Sequence, residues 1–141
     1  MWDLEITTDI QSFLTELGSV PLGDLIGSVR AGYRYGYIGT KDRTMYPLIT
    51  PGAIVQIDER RKRIVSGPWH RESERPIYFL ETRDGFVCSW CAMENGSVIL
   101  QPHPLSPERV RILSVDDIDV IGQVVAVAMR LDASADPDEH S

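Results

Sequence analysis

Thr44, Cys88, Cys91, His70 and His103 are the residues of this chain whose types could carry covalent or metal chemistry. A threonine hydroxyl attacks a carbonyl only when a neighbouring base takes its proton, and a lysine does so only if burial lowers its pKa. The chain has two lysines, Lys41 and Lys62. Lys62 lies in the run Arg60-Arg61-Lys62-Arg63, where solvation keeps it charged. Lys41 stands three residues before Thr44, so in an extended segment the two side chains point to opposite faces. Arginine stays protonated and cannot take the place of lysine. Thr44 therefore has a hydroxyl without a well-placed base.

Cys88-Ser89-Trp90-Cys91 has the spacing of a metal knuckle or a redox dithiol. Zinc needs two further ligands, for which His70 and His103 are the candidates. The motif falls inside an expected strand, where positions i and i+3 face opposite ways, and no helix follows it to lower a thiol pKa. A nucleophilic pair of Cys88 or Cys91 with His103 stays open on residue types alone. The expectation is two free cysteines in a reducing cytoplasm, with no metal and no cofactor.

The elements that position these residues are mainly strands. Ile10, Phe13, Leu14 and Leu17, then Leu22, Leu25, Ile26 and Val29, follow helical spacing. Thr7 or Thr8 serves as a cap and Gly18 as a stop, which gives a short helical hairpin over about residues 8–30. It offers Arg30 alone as a base-reading cation, so it reads as a packing arm. From Tyr33 the period becomes two. Strands are expected at Tyr33–Gly39, Ala53–Ile57, Arg63–Ser66, Ile77–Thr82, Phe86–Met93, Val98–Gln101 and Val120–Leu131. Asp84-Gly85 and Asn95-Gly96 mark hairpin turns. Gly36 and Gly39 suggest a bulge or a close backbone approach. Residues 132–141 read as an acidic, disordered tail.

The 141 residues suit one domain, which at this size buries about two-thirds of its unfolded surface without staples. The partition expected is an arm over 1–32, a β domain over 33–131 and the tail. A net charge of −7 argues against a backbone-gripping DNA surface, and the Arg60–Arg63 run reads as a solvated turn. No apolar run approaches the roughly 20 residues of a membrane span, and the first residues lack the basic start of a signal peptide.

Several segments together resemble the LexA-like repressor peptidases, a serine–lysine family with a signal-peptidase-like fold. They are Tyr35-Gly36-Tyr37-Ile38-Gly39, Thr44-Met45-Tyr46-Pro47, Pro51-Gly52, Pro76-Ile77-Tyr78-Phe79-Leu80, Cys88-Ser89-Trp90-Cys91, Leu100-Gln101-Pro102-His103-Pro104 and Ile121-Gly122-Gln123-Val124-Val125. The likeness spans about residues 33–131 and is nearest to the region that follows the helix-turn-helix domain in bacterial transcriptional regulators. It implies a partly rolled antiparallel β fold. The resemblance sets Thr44 at the family's serine and Trp90 at its lysine, so the catalytic pair is replaced. Ala31-Gly32 matches the family's cleavage dipeptide but lies only 12 to 13 residues before Thr44, with little slack to fold back. No helix-turn-helix of usual length precedes the domain.

The function expected is a catalytically inactive dimerisation or regulatory module, homodimeric and without its own contact to nucleic acid or membrane. Ile121, Gln123, Val125 and Val127 of the uncharged last strand are its dimer candidates if that strand is an edge; a central, buried strand is the alternative. Two rivals stand beside it. One is an autoproteolytic peptidase with Thr44 as nucleophile. The other is a sensor whose vacated cleft, lined by Met45, Tyr46 and Trp90, takes a peptide or small ligand, against the alternative that these side chains are core.

Overall fold

A computed structural model describes residues 4–10 and 32–129. The helical hairpin, apart from its first residues, and the tail lie outside the described residues. Within them the chain is mainly β: a single eight-stranded sheet, antiparallel at every pairing and rolled into a half-barrel. The strands are β1 (Thr8–Asp9), β2 (Tyr33–Tyr37), β3 (Ile54–Asp58), β4 (Ile77–Thr82), β5 (Gly85–Glu94), β6 (Ser97–Gln101), β7 (Arg111–Ser114) and β8 (Ile118–Ala128). Their order across the sheet is β1-β2-β3-β8-β4-β5-β6-β7.

The last strand joins two meanders. Gln123 pairs with Asp58 of β3 and with Tyr78 of β4. Toward its start β8 pairs β4, and toward its end it pairs β3. The register slips twice along β8. Val120 and Gly122 face the consecutive residues Leu80 and Phe79, and Val124 and Ala126 face Ile57 and Gln56. Ile121 and Val125 are thus the extra residues of two bulges, which bend the strand and increase its twist. Gly122 sits where the backbones close up: a Cβ there would overlap the Asp58 carbonyl oxygen. Gly36 is needed for a different reason, since an added Cβ would lie 2.7 Å from the Phe79 ring.

Alternation along the strands fills two clusters. Ile77 and Phe79 of β4 and Cys88 and Trp90 of β5 join Val55, Ile57, Met45, Ile49 and Ile121. Tyr78 and Leu80 of β4 and Cys91 of β5 join Val98 and Leu100 in the other. Period two along β4 and β5 is thus the reason one hairpin feeds both cores.

Three expectations are corrected. Arg63–Ser66 is not a strand. β3 is already paired on both sides, by β2 and β8, so this segment has no ladder to join. Its backbone is tied instead to one phenol: the Val65 amide donates to Tyr78 Oη at 2.9 Å, and that hydroxyl donates to the Arg63 carbonyl. Arg111–Ser114, expected as connection, is a strand on the edge of β6. The described start of the expected hairpin, Thr8–Asp9, is strand and not helix. Thr8 pairs with Tyr37 in β1–β2, while the buried Thr7 hydroxyl accepts from the Gly39 amide and donates to Asp42. Gly39 permits that docking, because a Cβ would strike the backbone at Glu5.

The Arg60–Arg63 run leaves β3 through a turn clamped by Asp58, whose carboxylate takes Arg60 and Arg61. The Arg60 side-chain and backbone hydrogen bonds hold Asp58 below the ordinary carboxylate value, against the opposing effect of burial. Both arginines are thereby partly neutralised.

Gly122→Ala is expected to lower unfolding free energy by about 2–3 kcal/mol, because backbone rather than a flexible side chain blocks the new methyl. Urea denaturation of the two proteins measures it; an unchanged midpoint would mean that β3 and β8 can separate at no cost.

Candidate functional site

Thr44 lies in the turn between β2 and β3, and Asp42 organises it. One Asp42 oxygen accepts from the Thr44 amide at 3.0 Å and from Thr44 Oγ1 at 2.6 Å. The other accepts from Thr7. The threonine hydroxyl is thus a donor to a carboxylate. Lys41 offers no help: its Nζ lies 3.1 Å from Glu5, and the side chain is 74% exposed. Met45 is buried in the first core cluster with Ile49, whereas Tyr46 is exposed under the Arg43 guanidinium.

Trp90 occupies the middle of β5, 2% exposed, in the same cluster as Met45. The structure therefore brings Met45 and Trp90 together as core and leaves Tyr46 outside it. Met45 fills space within that core, whereas Trp90 also borders a cavity beside the 69–75 segment and Pro104. The His103 ring stacks on Trp90 at 5.5 Å, and the Arg75 guanidinium lies 4.6 Å from its ring centre. Trp90 Nε1 is buried without an acceptor among the described residues. So is Oε1 of Gln101, its partner in the β5–β6 register, without a donor.

His103, weighed in the sequence as a zinc ligand or a cysteine partner, links the two halves of this region. Its amide donates to the Thr44 carbonyl at 2.9 Å, which ties the loop after β6 to the Thr44 turn. Nδ1 accepts the Leu105 amide at 3.1 Å, so Nε2 carries the proton and donates to Glu72 at 3.0 Å. Both ring nitrogens are engaged, and neither serves Thr44 as a base. Pro102-His103-Pro104 directly after a strand was the available signal, since such a loop presents one side chain in a fixed place.

The cysteines part company. Cys88 belongs to the first cluster and Cys91 to the second, so they do not converge on one ion. Among the described residues no three acidic, cysteine or histidine side chains gather as a metal site. Burial pushes the Cys88 thiol well above its usual range, helped by the charge of Asp42. Burial also pushes Cys91 up to about 12, against a small opposing effect of Arg75. Both are poor nucleophiles near neutral pH.

The strand proposed for dimerisation is neither a plain edge nor fully buried. Ile121 is buried and Gln123 is paired on both sides. Beyond Gln123, among the described residues, β8 pairs only with β3. Val125, Val127 and Met129 are 42%, 38% and 44% exposed there. Beside this open edge lies a groove of about 290 Å³, walled by Leu48, Ile49, the 72–77 segment, Val124 and Val127.

The raised thiols predict alkaline sensitivity. A thiol ionises more easily in the unfolded chain, near 9.0, than in the fold. Between these values the folded state holds more protons, so stability falls as pH rises. Buried Tyr37 and Tyr78, also raised, act in the same direction at higher pH. The urea midpoint is expected to decline above about pH 9, and Cys91→Val should make the decline shallower. An equally steep profile in the variant would remove Cys91 as a contributor.

Comparison with known proteins leaves this geometry to speak for itself: no protein-family model matches the chain, and a search of curated proteins returns no significant match.

Proposed function

We propose that this domain is a catalytically silent, LexA-like dimerisation and regulatory module of a bacterial transcriptional regulator. It works as a cytoplasmic homodimer and leaves DNA contact to another part of the regulator. The observation that carries the reading is the second half of β8, uncharged, paired on one side and exposing Val125 and Val127, with the exposed Met129 directly after it. An apolar strand with an open edge is a template for a second chain, and two copies of one antiparallel edge meet naturally about a twofold axis. The bulge at Val125 leaves three successive residues, Val125 to Val127, facing solvent, which widens the patch.

The silence of the chemistry is supported from three sides. Trp90 has an N–H donor and no basic atom. Lys41 is held by Glu5. Thr44 Oγ1 donates to Asp42, and a carboxylate without a lowered-pKa amine beside it does not generate a strong alkoxide nucleophile. Among the described residues, no helix is long and apolar enough to cross a membrane, which fits a regulator working away from lipid.

Sedimentation velocity tests the reading on the intact chain and on Val125→Glu. The expected result is a dimer that the new charge converts to folded monomers. A wild-type monomer at high micromolar concentration overturns the module. Mass spectrometry of the wild type and Thr44→Ala, after long incubation from neutral to alkaline pH, is expected to show both chains intact. Threonine-dependent shortening would restore the peptidase alternative.

A further inference from the structure

The segment Arg71-Glu72-Ser73-Glu74-Arg75 contains two acids and two bases that could neutralise one another locally. They do not. Glu72 is drawn to His103 at 3.0 Å. Glu74 Oε1 accepts the backbone amides of His70 and Arg71, at 2.9 and 3.2 Å. Among the described residues Arg71 and Arg75 hold no carboxylate, whereas Arg34, Arg60, Arg61, Arg83 and Arg111 each do. Among the described residues Arg43, Arg63 and Arg109 form no ion pair either; what distinguishes Arg71 and Arg75 is that they stand together on one cavity.

Both arginines line one cavity, of about 330 Å³, together with Trp69, His70, Glu72, Trp90 and Pro104. That volume admits a small ring compound. Arg75 is partly buried, and the loss of water around it lowers its pKa with no neighbouring carboxylate to offset the effect. It is also fixed against the Trp90 ring. An arginine stacked on an aromatic ring has already lost much of its side-chain freedom, so its planar fork meets a carboxylate at little further entropy cost. Trp69 is half-buried and Pro104 stands beside it, which gives an apolar wall for a flat body. Glu72 contributes one opposing charge, already shared with His103.

We propose that this cavity binds a small aromatic carboxylate, with its anionic end on Arg75 and Arg71 and its ring against Trp69. The site is separate from the open edge of β8, and it stands or falls independently of dimerisation.

Isothermal titration of the full chain with indole-3-carboxylate tests it, with the uncharged indole-3-carboxamide as the matched control. The acid is expected to bind at least tenfold more tightly than the amide, a ratio typical of one charge-assisted pair (roughly 1.4 kcal/mol). Arg75→Gln and Trp69→Ala should each weaken acid binding by about tenfold or more. Arg71→Gln, at an exposed position, keeps the test usable should the Arg75 change unfold the protein, and it should weaken the acid but not the amide. Equal affinity for acid and amide overturns the proposal. So does undiminished acid binding in both arginine variants, or no heat from the acid at millimolar concentration.

Discussion

One strand holds this protein together, and one residue of that strand marks where. Among the described residues β8 is the strand that pairs with both the β1–β3 meander and the β4–β7 meander, and Gln123 is where it changes hands from Tyr78 to Asp58. Without β8 each meander is a small sheet with an open apolar edge. With it they curl around shared clusters. The close passage at Gly122 and the bulges at Ile121 and Val125 allow a single strand to serve two sheets whose directions differ. The same arrangement frees the far half of β8 from β4 and leaves it exposed. The feature proposed for dimerisation is therefore a by-product of the constraint that closes the fold.

Where local chemistry decides structure, the sequence was readable. Asn95-Gly96 takes positive φ at both positions and makes the two-residue turn between β5 and β6. At the other hairpin the signal was right and its register was off by one. Arg83 and Asp84 form the loop, while Gly85, at φ +125°, already pairs with Thr82. Tertiary context decided the rest. Arg63–Ser66 has the composition of a strand, but β3, which it follows, is already paired on both sides. Arg111–Ser114 follows a proline-rich connection, and only the exposed edge of β6 makes it a strand. Thr8 sits before a helical apolar period, yet pairing with Tyr37 takes it into the sheet. Composition cannot report which edges are vacant, and vacancy settled each of these cases.

The candidate site was legible in its centre and not in its surroundings. Met45 and Trp90 share one cluster, and the His103 amide ties the Thr44 turn beside it; the resemblance rather than any spacing set these positions together. Lys41 could be dismissed from its offset, and its pairing with Glu5 gives the reason a physical form. His103 was weighed only as a zinc ligand or cysteine partner and Arg75 was not singled out, because each acts on Trp90 from a loop distant in sequence. From sequence, residues 67–76 read only as a polar excursion between two prolines. Only the positions of His103 and of two backbone amides reveal that its acids are occupied and its bases are not.

Exchanging a basic side chain for an indole at the centre of such a region changes more than reactivity. A lysine there would need desolvation and a partner to stay uncharged. An indole needs neither and adds a large apolar surface to the core. Trp90 uses that surface to seat His103 and Arg75, and His103 in turn fixes the Thr44 turn and diverts Glu72. In the LexA-like reading, the position of the lost base has become the anchor of an unpaired arginine. Glu72 and Arg75 wall the arginine cavity on one side and the groove along β8 on the other. A single short segment, held by Glu74 and by the stack on Trp90, thus separates the arginine cavity from the open strand edge.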